Sequence, residues 1–227
     1  MNYLEEDVED INIKCIITKM FFDTETTGLP KYRDQAYKAP RNWPHIVSIA
    51  WIVLDETLSV QKKEYFIIKP RWEIPQESVR IHGITYEKAM KEGHDLREVL
   101  DKFWSDLGNK SLIAHNVDFD LNVLINAELW DLGRKYPSIN KMYCTMELTK
   151  NILKLPGNYG YKNPKLSELY EFIFKKKPSG LHNSLKDTEL LVEIFFGSRE
   201  LQTMIHLTNP ELTNINEISH KKGTLYL

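Results

Sequence analysis

Apolar runs and helical repeats follow one another along this chain in a definite order. "CIITKMFF" (15–22) is a continuous apolar run of strand length and reads as a buried strand. "HIVSIAWIVLD" (45–55) and "KKEYFIIKP" (62–70) are rich in β-branched and aromatic residues and read as two more. "LDETLS" between them reads as a turn, so the three runs can form an antiparallel meander. The period then changes. "TYEKAMKEG" and "DLREVLDKFWSDLG" show helical spacing, with Leu96, Val99, Leu100, Phe103 and Leu107 on one face and Gly108 as a stop. "SLIAHN" (111–116) is a short apolar strand, and "DFDLNVLINAELWDLG" (118–133) an amphipathic helix ending at Gly133. "MYCTMEL" (142–148) reads as a short strand or a strand–helix junction. "KLSELYEFIF" (165–174) and "SLKDTELLVEIFF" (184–196) read as helices, and residues 201–227 are mixed. This order predicts an α/β domain, a mixed sheet flanked by helices. Such sheets carry their chemistry at strand ends and in the adjoining helices.

A chain of 227 residues is long enough for one sizeable core with appendages. The expected division is an acidic N-terminal arm at 1–13, a domain at 14–200 and a C-terminal extension at 201–227. The formal net charge of −2 argues against a wholesale electrostatic clamp on nucleic acid, and leaves room for a local basic patch. Cys15 and Cys144 stand far apart, outside any CxxC pair. A disulfide framework and a cysteine zinc site are thereby disfavoured, and a reducing compartment fits best. No apolar run reaches the roughly 18–20 residues of a membrane span. The acidic start, "MNYLEEDVED", is the wrong flank for a secretory signal. The expectation is a cytoplasmic protein with no membrane association.

The chemistry begins at "MFFDTETTGLP" (20–30). If the strand runs that far, Asp23 and Glu25 point to the same face. Two such carboxylates repel unless protons or cations lie between them, and oxygen-rich clusters suit Mg²⁺ or Mn²⁺. Alone, the pair reads more plainly as a solvated strand end before a turn. In "AHNVDFDLNVL" (114–124) a short strand leads into a helix with Asp118 and Asp120 in its first turn. The helix dipole accounts for one acid, and less well for His115 and Asn116 just ahead. In "HNSLKDTELL" (182–191), His182 precedes Asp187 by five residues. That is about 140° of helix, so the two converge only if His182 sits ahead of the helix. Ser184 and Asp187 also fit a capping box.

Taken together, "FDTETTGL", "AHNVDFD" and "HNSLKD" resemble the three motifs of the DEDDh family of 3′→5′ exonucleases, which includes proofreading (epsilon) subunits of bacterial DNA polymerase III. "RIHGIT" (80–85) resembles a further segment of that family, and the likeness spans residues 15–197. The resemblance implies an RNase H-like fold with a mixed five-stranded sheet flanked by helices. It implies metal ligands at Asp23, Glu25, Asp120 and Asp187, with Asp120 preferred to Asp118 because it follows Phe119. It implies His182 as general base, two divalent ions (Mg²⁺ or Mn²⁺) as cofactors, and hydrolysis releasing nucleoside monophosphates. Thr24, Thr27, Leu29, Ile81, His82, Asn116 and Phe119 fall at nucleotide-binding positions, although ordinary packing accounts for Phe119 equally well and for His82 nearly so. Val117, Asp118 and Ser184 depart from the family's usual small residues. The implied partners are single-stranded or frayed 3′ ends, DNA ahead of RNA, and a DNA polymerase if the chain is a subunit and not a free-standing nuclease. In "PKYRDQAYKAPRNWP" (30–44), aromatic Tyr32, Tyr37 and Trp43 interleave with Arg33, Lys38 and Arg41. That composition suits single-strand contact, or a solvated loop. The competing reading from another class is a non-catalytic nucleic-acid-binding or assembly module; an RNA-specific exoribonuclease is the alternative within the enzyme class. A module of the first kind would have lost an acid or the histidine, and all five residues are present.

Overall fold

In the computed structural model, which describes residues 18–32, 42–139 and 141–207, the first strand runs past the apolar stretch and through both acids. β1 is Lys19–Thr26, and it lies at the centre of a five-stranded sheet. β2 (Ile46–Leu54) and β3 (Val60–Ile67) continue from it as an antiparallel meander. On its other side β1 pairs in parallel with β4 (Ser111–Ala114), and β4 with β5 (Met142–Cys144). The sheet is therefore mixed, in the order β3-β2-β1-β4-β5. β1 and β2 are buried along nearly their whole length, as strands covered on both faces must be. β3 is an edge strand whose exposed positions include a lysine, Lys63, which discourages pairing with another chain.

Three helices link the meander to β4: α1 (Gln76–His82), α2 (Tyr86–Glu92) and α3 (Leu96–Leu107). α1 is absent from the sequence expectation. It has no side-chain cap and ends at Gly83, whose φ of 73° only glycine adopts cheaply. The five apolar residues predicted on one face of α3 are all buried. α4 (Val117–Asn126) follows β4 and runs into a wide π turn at Ala127–Asp131. α5 (Thr145–Leu153) follows β5, resolving the predicted junction as strand then helix. A hairpin of β6 (Pro156–Gly157) and β7 (Gly160–Tyr161) leads to α6 (Leu166–Phe174), α7 (Ser184–Gly197) and α8 (Arg199–Leu207). α8 carries the chain across position 200, and Leu201 and Ile205 are buried in the core. The expected arm at 1–13, Cys15, and most of the expected extension lie outside the described residues. No helix among the described residues is long and apolar enough to cross a membrane.

Strand alternation divides the core in two. Met20 and Phe22 of β1, Ile49, Trp51 and Val53 of β2, and Leu112 of β4 face α3 and α4. Phe21, Ile52, Leu54 and Ile113 face the opposite layer of α6, α7 and α8. The same alternation continues past the apolar part of β1. Asp23 and Glu25 therefore share the Phe21 face, toward α7, and Thr24 shares the Phe22 face, toward α4.

Candidate active site

At its far end β1 carries polar side chains to both layers, and each layer supplies an acid to meet them. On one face, Asp23, Glu25 and Asp187 of α7 bring a carboxylate oxygen each to within 4.8 Å of one another. α7 comes this close because the side chains beneath it are small. Glu25 pairs across the ladder with Ser48 and Asp23 with Ala50. Ser48 and Ser184 are fully buried and their hydroxyls meet at 2.9 Å, and Thr188 lies against the Ala50 carbonyl. Ser184, a departure from the family's usual residue, thus has a partner of its own in β2.

The start of α7 orients Asp187. Asn183, not Ser184, is the cap, its side chain accepting from the Lys186 N–H at 3.1 Å. The capping box expected between Ser184 and Asp187 is displaced: Asp187 Oδ2 reaches back to accept from the His182 N–H at 2.9 Å. His182 holds a left-handed backbone with φ of 65°, a conformation that costs a non-glycine residue about 1–2 kcal/mol. It thus sits ahead of the helix, with its residue exposed at the rim of the acidic cluster. The second oxygen of Asp187, Oδ1, is buried with no hydrogen-bond partner.

On the other face, β1 pairs with β4 only over Lys19–Phe21, so its backbone beyond that point lacks a strand neighbour on this side. Asp120 of α4 fills the gap. Its Oδ1 accepts from the Thr24 N–H at 3.1 Å and from the Thr24 hydroxyl at 2.7 Å. Of the two acids in the first turn, Asp120 is the one brought to β1 and buried; Asp118 is half-buried and its carbonyl accepts from Asn122. α4 starts at Asn116, whose φ of 72° is left-handed, a turn that asparagine tolerates.

The electrostatics are those of buried, crowded acids. Burial first, then the charges of Asp120, Asp187 and Glu25, hold the Asp23 carboxyl well above its ordinary range. Burial, followed by Asp187 and Asp120, pushes Glu25 up to about 8. Burial raises Asp120 to about 7 against the opposing Thr24 hydrogen bonds. Asp187 rises to about 6, mainly through burial, with the His182 N–H opposing. Acids so placed need protons or cations. The unpartnered Asp187 Oδ1 and the converging oxygens of Asp23 and Glu25 form an all-oxygen donor set, which fits hard divalent ions.

The residues expected at the nucleotide divide into exposed and inward-turned groups. Leu29 and Ile81 are 67% and 57% exposed, which leaves their apolar side chains open to contact with a ligand. Phe119 is half-buried, its ring 6.0 Å from that of Trp43. Thr27 is half-buried and bonded to His45 through both its N–H and its hydroxyl. Thr24 gives its N–H and hydroxyl to Asp120, which makes it a support for that acid. His82 is buried, with Nδ1 accepting from the Ile84 N–H and Nε2 unpartnered. Burial lowers its pKa. His115 has a partner on each ring nitrogen. Its Nε2 donates to the Pro164 carbonyl at 2.9 Å, Nδ1 lies 3.0 Å from the Thr145 hydroxyl, and burial lowers its pKa to about 4.

Tyr65 of β3 is a site neighbour that the motifs do not announce. Its hydroxyl interacts with Ser48 and Asn183, and burial with the charge of Glu25 keeps its proton on. Only the pairing of Tyr65 with Ala50, opposite Asp23, places it there. Sequence spacing carries no signal of that register.

Comparison with known proteins supports this geometry. The RNase_T family model, described as an exonuclease, matches residues 20–195, so it includes every acid of the site and His182. DNA polymerase III subunit epsilon of Rickettsia conorii is 32% identical over 184 residues, covering 79% of this chain and 72% of that protein. Among solved structures, the nuclease domain of 3′hExo, a DEDDh family member bound to rAMP, superposes with a TM-score of 0.64 at 18% identity, covering 87% of this chain and 98% of that one. Escherichia coli exonuclease I in complex with a dT13 oligonucleotide superposes with a TM-score of 0.63 at 18% identity, covering 84% of this chain and 42% of that one. These two share the fold: a mixed five-stranded sheet flanked by helices, with the RNase H-like arrangement. With the family model spanning the whole acidic site, the chain belongs to the RNase_T exonuclease family and is a 3′→5′ exonuclease.

Proposed function

We propose that this exonuclease removes nucleoside monophosphates from the 3′ ends of single-stranded or frayed DNA by hydrolysis at a two-ion site. The observation that carries the proposal is the convergence of Asp23, Glu25 and Asp187 within 4.8 Å, with Asp120 on the other side of the same strand. Asp23, Glu25 and Asp187 would hold one divalent ion, and Asp23 with Asp120 a second. Such ions, when bound, neutralise phosphate charge and lower the pKa of an attacking water. Mg²⁺ and Mn²⁺ both suit the oxygen donors.

The chain's own residues supply the rest. His182, exposed at the rim and tied through its N–H to Asp187, takes the proton of the attacking water. Thr24 donates two hydrogen bonds to Asp120, which favour its ionised form against the effect of burial. Leu29 and Ile81, exposed and apolar, press against the terminal bases, a contact that any base satisfies. The preference for DNA and a role beside a polymerase draw on the relatives named DNA polymerase III subunit epsilon.

The test is degradation of 5′-labelled DNA and RNA strands with Mg²⁺, Mn²⁺ or EDTA, alongside a His182→Ala protein. The proposal expects a metal-dependent ladder, faster on DNA, that slows at least 100-fold in the variant. A ladder that persists in EDTA would remove the metals from the proposal. An unchanged rate in His182→Ala would remove the general base, and a faster RNA ladder would reverse the substrate preference.

A further inference from the structure

Against Thr27 and Leu29 of the first motif lies a cavity of about 1070 Å³ whose other walls come from outside the exonuclease motifs. Its walls include Trp43, Trp72 and Trp130, three of the chain's five tryptophans, brought together from three separate segments. We propose that this cavity is a second nucleobase subsite, which takes bases of the single strand upstream of the 3′ terminus. The inference rests on the nuclease reading above for the direction of the strand.

Position is the first reason. Thr27 and Leu29 line the cavity, and Glu25 lies just upstream of them on the same segment. Trp43 stands 6.0 Å from Phe119, the neighbour of Asp120, so the cavity lies toward the Asp120 side of the site. Leu29 is both exposed and part of the cavity wall, so a base held against it would lie at the cavity mouth. The volume sits at the top of the range for sites that bury a drug-sized ligand, enough for more than one base.

Chemistry is the second reason. Asn126 lines the cavity and is 1% exposed, and its Oδ1 has no hydrogen-bond partner. A buried acceptor left unpaired is costly, and the edge of every nucleobase offers an N–H that would satisfy it. The tryptophan walls offer flat apolar faces on which any base can stack. One face is already braced. His45 lies parallel to Trp72 at 3.5 Å between ring centres and is anchored to Asp131 Oδ2 at 2.9 Å. Asn42 fixes the opposite wall, accepting from the Tyr32 N–H at 2.8 Å and donating to the Tyr32 carbonyl at 2.9 Å. The walls are thus held in place before any ligand arrives, which lowers the cost of ordering them on binding. Exposed Lys31 at the rim supplies a cation for the phosphate backbone.

The test compares lengths. Binding of fluorescein-labelled deoxyadenylate octamer and dinucleotide is measured by anisotropy in an Asp23→Asn background with Mg²⁺, which leaves the strands intact. Trp130, 47% exposed, can be removed with little risk to folding, and Trp130→Ala is the first variant. Trp72→Leu, from the opposite wall, is the second. The subsite predicts that each variant weakens octamer binding about tenfold and leaves the dinucleotide unchanged. Equal loss on both lengths, or no loss on the octamer, overturns it. Hydrolysis of thymidine 5′-p-nitrophenyl phosphate by the otherwise native protein reports the acidic centre separately. If that ester is untouched while octamer binding still depends on Trp130, the nuclease reading fails and the base subsite stands.

Discussion

Replacing Glu25 by glutamine will make the metal-free protein more stable at pH 8, and will remove most of its stabilisation by divalent ions. The Glu25 carboxyl is held up from an ordinary 4.5 to about 8 by burial, Asp187 and Asp120. Between those two values the folded chain keeps a proton that the unfolded chain releases. Stability from this group is therefore fully present below the unfolded value and is lost as pH rises toward about 8. By pH 8 the cost is on the order of 2–4 kcal/mol, the lower figure allowing for water that reaches the ionised acid. At pH 5 it is under about 1 kcal/mol. Glutamine keeps the shape and removes the charge. For a domain of this size 1 kcal/mol moves Tm by about 2–4 °C, so the variant should melt about 5–10 °C higher than wild type at pH 8 and within about 3 °C at pH 5. The assay is calorimetry in EDTA at both pH values, repeated with Mn²⁺. Wild type should gain several degrees from the ion at pH 8, and Glu25→Gln little. A variant that melts below wild type in EDTA at pH 8, or gains as much from Mn²⁺, would refute the picture of crowded acids awaiting cations.

Two further substitutions probe how the fold supports the site. Thr24→Val removes the 2.7 Å hydroxyl bond to Asp120 and should raise the pKa of that acid further. kcat/KM should fall about tenfold, with the acid limb of the pH–rate profile moved to higher pH; an unmoved limb would count against the role of Thr24. Ser184→Leu over-packs the point where α7 touches β2 and should cost about 1–3 kcal/mol by denaturant unfolding. Its loss of activity should exceed that of Ser184→Ala by about tenfold or more, because the larger side chain displaces Asp187 from Asp23 and Glu25. Equal activity in the two variants would show that α7 need not approach so closely.

Much of this architecture was legible because the same residues that pack the core also report their period. The face of α3 and the meander of β1, β2 and β3 follow from apolar spacing. The acids of β1 were legible as a pair, but not the end of the strand. The apolar signal stops at Phe22, whereas pairing with β2 carries β1 to Thr26. What was illegible depended on tertiary contacts or on segments too short to show a period. α1 is a seven-residue helix without a side-chain cap, and each strand of the β6–β7 hairpin has two residues. The shift of the α7 cap from Ser184 to Asn183 has a packing cause: Ser184 is drawn into contact with Ser48, a residue of β2 far away in sequence. The burial of His82 and the bond from the Ile84 N–H to its ring are tertiary details that the motif likewise does not report. The tryptophan cavity is assembled from residues that no local pattern connects.

The central claim is that β1, α4 and α7 build a site for two divalent ions, and its most direct test is equilibrium binding of Mn²⁺. The measurement is calorimetric titration of the wild-type protein and of Asp23→Asn, each with thymidine 5′-monophosphate present. The account predicts two Mn²⁺ per wild-type chain, and a loss of at least one site with marked weakening of the other in the variant, because the proposal has Asp23 holding both ions. Fewer than two sites in wild type, or the same two sites in Asp23→Asn, would contradict it.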